Sequence, residues 1–187
     1  MRGAVLAFVA MAGCVAPAVV PAPKPAVALP PGYPPKIGDI KALLNGKAAA
    51  WQTYDFSLGA FDASAQFVGA KDAPVFRMLG FPPGQPKSEV NRITMKGAGP
   101  VQAGALSDVL IEVIAGAHWD GLRLSSQGQA ATLVLDSVAA KDGVYGHVTG
   151  HFTAHLCRAM GQPARVDVRY CQDMTGKFET DYQTDLR

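Results

Sequence analysis

Charge is scarce in this chain. Asp, Glu, Lys and Arg make up 17% of its 187 residues, and 17 Lys and Arg against 15 Asp and Glu leave a formal net charge of +2. So little charge, beside a hydrophobic share of 49%, argues for a packed core rather than a solvated, disordered chain. The near-neutral balance also argues against a nucleic-acid binder, which needs a basic stripe to meet phosphates. Sequence signatures of catalysis are missing as well: there is no G-x-S-x-G, no H-E-x-x-H, no phosphate-binding P-loop and no C-x-x-C. Gly97-Ala98-Gly99 leads into Pro100 rather than a helix, so it lacks the helix N-terminus that cradles a phosphate. Aromatic residues are only 8%. Trp51, Trp119 and Tyr54 are the candidates for a sugar-stacking face, with core packing as their commoner use.

Long apolar runs are also lacking. Residues 4–12 (AVLAFVAMA) are apolar without interruption but fall well short of the ~20 residues a membrane-spanning helix needs. After Met1-Arg2 they have the length of a signal-peptide hydrophobic region. Met11-Ala12-Gly13-Cys14 follows, and small residues directly before a cysteine resemble the lipobox of bacterial lipoproteins, with Met11 where leucine is usual. The resemblance implies a signal peptide over residues 1–13, acylation of Cys14 and a membrane anchor at that residue. Loss of Arg2 with the signal would leave 16 basic against 15 acidic residues. The mature chain then needs no electrostatic attraction to anionic lipid.

Only three cysteines are present, an odd number for an exported chain. If Cys14 carries lipid, Cys157 and Cys171 remain as a disulfide pair, which suits an oxidising compartment. They enclose 13 residues, a loop whose closure contributes about 3 kcal/mol in the chain-entropy account. As a zinc half-site the pair is less favoured, because no second pair of ligands stands at metal spacing.

Residues 15–35 hold eight of the fourteen prolines, with Lys24 as the only charge. Proline fixes φ and removes a donor, so the segment is expected as an extended spacer reaching about 60 Å. The expected organisation is therefore a signal over 1–13, a lipidated and Pro/Ala-rich tether over 14–35, and one folded domain over 36–187. Within the domain, Asp39 is expected to cap a short helix over residues 40–44, ended by Asn45-Gly46. No long 3.6-residue period follows. Short alternating segments at 52–58, 61–68, 76–81, 89–96, 108–114, 121–125 and 132–138 are separated by turn residues, and Lys141-Asp142-Gly143 reads as a hairpin turn. The expected class is all-β: an antiparallel sandwich or flattened barrel of about eight or nine strands with one short N-terminal helix.

The last two limbs carry the most information. Residues 147–157 read HVTGHFTAHLC, with Val148, Gly150, Phe152, Ala154 and Leu156 on one face and His147, Thr149, His151, Thr153 and His155 on the other. Residues 171–182 alternate likewise. Opposing the two cysteines in an antiparallel pair sets His155 against Asp173, His151 against Lys177, Thr149 against Glu179 and His147 against Asp181. The same register lays Phe152 over Gly176 and Phe178 over Gly150, each ring covering a position without a side chain. Three histidines at four-residue steps suggest a metal, but on a strand each step spans about 13 Å, beyond the reach of one ion. A solvated face is the expectation. His155 beside Asp173 is the best seed for a site, and no metal, cofactor or catalytic residue is assigned. His118-Trp119-Asp120 reads as a turn rather than a base and its orienter.

Asn45-Gly46-Lys47 with Trp51, the strand Val148-Thr149-Gly150-His151-Phe152-Thr153-Ala154 and the closing Gly176-Lys177-Phe178 resemble uncharacterised bacterial exported lipoproteins with a β-sandwich domain. The resemblance implies a fold and an address, and no catalytic residue. The expected protein is lipid-anchored in the bacterial cell envelope, its domain in the periplasm or at the cell surface. Its expected role is non-enzymatic, either structural or binding an envelope protein, a glycan or a small ligand, and no nucleic acid. The alternative is a periplasmic hydrolase or metal-dependent enzyme on a β scaffold, which a deep pocket with convergent His, Asp or Glu would favour.

Overall fold

Alternation in the sequence becomes one hydrogen-bonded sheet. The computed structural model describes residues 33–56, 63–114, 122–161 and 165–187, and among these the protein is all-β. The strands are β1 (Lys36–Leu44), β2 (Lys47–Tyr54), β3 (Ala65–Ala70), β4 (Ala73–Gly80), β5 (Arg92–Ala98) and β6 (Gly104–Ala105), then β7 (Ser107–Ile114), β8 (Arg123–Ser125), β9 (Ala131–Ala140), β10 (Tyr145–Met160) and β11 (Arg165–Leu186).

No helix occurs among the described residues, and the helix expected over 40–44 is part of β1. Two facts explain the difference. Ile40 and Ala42 are buried while Lys41 and Leu43 are exposed, a period of two rather than 3.6. Asn45 and Gly46 have φ of 47° and 75°, so both take the left-handed region and form a two-residue hairpin loop with Leu44 opposite Lys47. Asn-Gly is the favoured pair for that loop because both positions need positive φ. Asp39 is thus a strand residue, paired with Lys36 at 2.6 Å, and caps nothing.

The sheet order is β2-β1-β11-β3-β4-β5-β7-β8-β10-β9-β6, and β11 also pairs with β10. That extra pairing closes a circuit through β11, β3, β4, β5, β7, β8 and β10. The length of β11, 22 residues, makes the closure possible. One of its edges serves β1 antiparallel over Thr180 to Met174, then β3 in parallel from Gln183. Its other edge serves β10 from Gln183 to Arg165.

The apolar faces turn to one core. Phe67, Phe76, Ile93, Ile111, Leu133, Phe152 and Leu156 are all at most 1% exposed. Phe67 lies 5.0 Å from Phe76 and 5.1 Å from Tyr182, ring centre to ring centre. Those separations suit edge or tilted aromatic contact.

Between β10 and β11 the register is the one the opposed cysteines imply. Cys157 faces Cys171, His155 faces Asp173, His151 faces Lys177, Thr149 faces Glu179 and His147 faces Asp181. A Cβ at Gly150 would strike the Phe178 ring, and one at Gly176 would strike the Phe152 ring and Ala42. A third such pair, Gly146 with the Tyr182 ring, extends the arrangement to the far end of the ribbon. The glycines here make room for rings that cross the sheet and reach the core.

Candidate functional site

The outer face of β9, β10 and β11 collects the described histidines. His147, His151 and His155 fall on the polar parity of β10 because Val148, Gly150, Phe152 and Ala154 take the inner one. Each histidine uses Nδ1 to meet an aspartate: Asp181 at 2.7 Å for His147, Asp136 at 2.8 Å for His151 and Asp173 at 2.7 Å for His155. Glu179 lies 3.4 Å from Nε2 of His147, so that ring sits between two carboxylates. Hydroxyls fill the intervals. Thr149 pairs with Ser137 at 2.7 Å and Thr153 with Thr132 at 2.8 Å.

Two of these three partners follow from the β10–β11 register alone. The third does not. His151 stands opposite Lys177 but bonds to Asp136 on β9. A bulge in the β9–β10 pairing between Thr149 and Gly150 leaves Asp136 without a partner residue of its own and turns it to this face. The sequence carries no signal for that bulge.

At the His147 end the face sinks into a groove of about 510 Å³, with Asp39 and Lys41 from β1, Lys177 and Glu179 from β11, and His147 and Asp136 at its edge. Charges of both signs line it. Such a groove offers hydrogen bonds and ion pairs to a polar ligand, while its histidine is already engaged on both nitrogens. Its Thr149 hydroxyl is engaged with that of Ser137. No activated nucleophile with a free base beside it is built here. A second depression of about 610 Å³ lies over β3, β4, β5 and β7, with Arg77, Lys96, Glu112 and Gln66 among apolar neighbours.

Cys157 and Cys171 are joined, their Cα atoms 3.9 Å apart. Cys157 is fully buried although it shares the parity of the histidines. Beyond the pair the register jumps from Cys171 to Asp167, so Val168, Arg169 and Tyr170 bulge out of the ribbon. Tyr170, 58% exposed, lies under the guanidinium groups of Arg158 and Arg169, at 5.9 and 5.8 Å. Asp167 accepts two hydrogen bonds from the Arg169 side chain, at 2.9 Å each, and its carboxyl is thereby held down at about 2.

Other expected positions resolve differently. Trp51 and Tyr54 are buried, Trp51 donating from Nε1 to the Asn91 carbonyl at 2.7 Å and Tyr54 from its hydroxyl to Gln52 Oε1 at 2.7 Å. They are core residues and form no sugar-stacking face. Burial pushes the Tyr54 hydroxyl above its ordinary value, opposed by the Gly84 amide and aided by Asp39. Gly97 and Gly99 make room for Leu106, whose side chain packs against both. Cys14, the tether up to residue 32, and His118-Trp119-Asp120 lie outside the described residues. No protein-family model matches the chain, and neither does any curated protein or solved structure.

Proposed function

We propose that this chain is a lipid-anchored protein of the bacterial cell envelope, of the exported-lipoprotein kind that its sequence resembles. Its domain, a closed sandwich or flattened barrel, binds an envelope protein or glycan and performs no catalysis. Cys14 carries the anchor, and the proline-rich residues 15–35 hold the domain off the membrane. Stable attachment calls for more than one acyl chain, since a single chain binds only reversibly.

One observation carries the binding reading. The exposed face of β9, β10 and β11 presents three histidine–aspartate pairs and a mixed-charge groove, with the reactive groups bonded to one another. Exposed polar pairs contribute at most about 1 kcal/mol each, so stability alone is a weak reason for such a row. Recognition of a polar partner is the better one. The closed pairing circuit supports the barrel reading, because closure leaves fewer free edges.

Fractionation tests the anchor. Wild type should partition with membranes and Cys14→Ala with the soluble fraction, and mass spectrometry should find an acylated N-terminal cysteine. A soluble wild type with an unmodified cysteine would contradict the anchor. For the binding face, a photo-cross-linking residue at Thr149 in the intact envelope should capture a discrete partner that one at Arg77 does not. Equal capture at both positions would contradict it.

A further inference from the structure

One cluster on the ribbon has a chemistry that the binding face does not use. His155 and Cys157 are two apart on β10, and Asp173 and Cys171 two apart on β11, with His155 opposite Asp173 and Cys157 opposite Cys171. The four side chains therefore occupy adjoining positions on one side of the ribbon, with Cys157 buried. A ring nitrogen of His155 and both sulfurs lie within 4.8 Å of one another. Nδ1 of His155 is held by Asp173 at 2.7 Å, which leaves Nε2 as the nitrogen available to a further ligand. A carboxylate fixing the far side of a histidine is the usual support for a metal-binding imidazole.

We propose that the dithiol form of this cluster is a site for a thiophilic divalent cation, Zn²⁺ above all, with Cys157 Sγ, Cys171 Sγ and His155 Nε2 as ligands. Asp173 is the positioning residue. Two thiolates and an imidazole match the preference of zinc, with Zn–S near 2.3 Å and Zn–N near 2.0 Å, and leave a fourth position open. The disulfide excludes the metal, because its sulfurs are bonded to each other. Reduction by an envelope dithiol opens the site. A thiolate of that reductant attacks the half-buried Cys171 sulfur, and Cys157 departs as a thiolate. The reductant's second thiolate then displaces Cys171 and the reductant leaves as its own disulfide. Two electrons pass to the protein and two protons follow to the thiols. Binding of Zn²⁺ returns those two protons to solvent. Reduction and metal binding thereby exchange a covalent clasp for a metal clasp at the same place in the ribbon.

The test uses the full chain carrying Cys14→Ala, so that Cys157 and Cys171 are its only thiols. It is titrated with Co²⁺ and then Zn²⁺, as the disulfide and after reduction by a phosphine that is removed under argon. The disulfide form should bind no cobalt at this site. The reduced form should bind one Co²⁺ per chain with thiolate-to-cobalt charge-transfer absorption, which Zn²⁺ abolishes by displacement. His155→Ala should weaken Co²⁺ at least tenfold, and Asp173→Asn about 10- to 100-fold while keeping the charge-transfer bands. Circular dichroism follows the sheet throughout. The proposal is overturned if the reduced chain takes up no cobalt, or binds it without thiolate bands. It is overturned equally if His155→Ala binds as tightly as its parent, or if reduction abolishes the sheet and metal does not restore it.

Discussion

The two hairpins at the ends of the domain, β1–β2 and β10–β11, are both antiparallel, and both pair along nearly their whole length. They differ in what crosses between their strands. The β10–β11 ribbon carries a disulfide, three glycine–aromatic pairs and two cross-strand histidine–aspartate pairs. Each of these demands one register and forbids its neighbours, because a one-residue slip would move every side chain to the opposite face. The β1–β2 hairpin has Ala48, Ala49 and Ala50 facing Leu43, Ala42 and Lys41. Small side chains there tolerate several registers, so the Asn45-Gly46 loop carries more of the specification, helped by buried Ile40 opposite buried Trp51. A ribbon pinned by many cross-strand partners and one that leans on its turn should fail in different ways.

The largest expected effect falls on the ring-over-glycine pairs. Phe178→Ala removes a buried ring that contacts Phe76 and covers Gly150, and should cost about 3–5 kcal/mol in denaturant unfolding. Leu43→Ala on β1, half exposed, should change stability by no more than about 0.5 kcal/mol. If the two losses were equal, the contrast between the hairpins would collapse. Next comes the bridge: Cys157→Ala with Cys171→Ala should lower stability by about 2–4 kcal/mol without abolishing the sheet, read by the same unfolding curves and circular dichroism.

Turn specification is tested by Gly46→Ala. With φ at 75° the new side chain meets no neighbour but forces alanine into the left-handed region, at a cost of about 1–2 kcal/mol. Its signature should be loss of amide-exchange protection confined to β1 and β2. Smaller still is His151→Ala, which removes an exposed pair with Asp136 and should cost less than about 1 kcal/mol.

Acid and alkali sharpen the picture further. Burial raises the hydroxyls of Tyr54 and Tyr182 above their usual 10.0. A folded-state value above the unfolded one means that this stabilisation is complete below pH 10 and fades as the pH climbs beyond it. Absorbance titration should therefore show two tyrosines ionising late, together with unfolding. At the other extreme, Arg169 holds Asp167 at about 2. Its contribution is present above the unfolded value of 3.8 and disappears as pH falls through 2. Arg169→Ala should return the Asp167 carboxyl to the ordinary carboxylate range in an NMR titration, with the β10–β11 pairing unchanged.

The contrast also explains what could be read in advance. The all-β class and the register of the last ribbon were legible because alternation and cross-strand partners lie within one short segment, residues 147–182. Reading residues 40–44 as a helix failed because five residues are too few to tell a period of two from 3.6, and because Asn-Gly suits a helix end and a hairpin equally. The circuit of strands was beyond reach. It depends on β11 using both edges and pairing in parallel with β3, more than a hundred residues earlier, and no local pattern announces such a contact. For the histidine face the aspartates of β11 were visible and Asp136 was not, since a bulge in β9 brings it there. Trp51 and Tyr54 illustrate the opposite error, polar-tipped aromatics whose tips find partners inside the fold.

All three cysteines are consumed in the resting envelope form under this account, one by lipid and two by each other. Thiol titration of protein purified from the envelope, denatured without reductant, tests that claim most directly. It should find no reactive thiol, and two should appear after reduction. One free thiol before reduction would contradict the anchor at Cys14, and two or more would contradict the bridge that clasps β10 to β11.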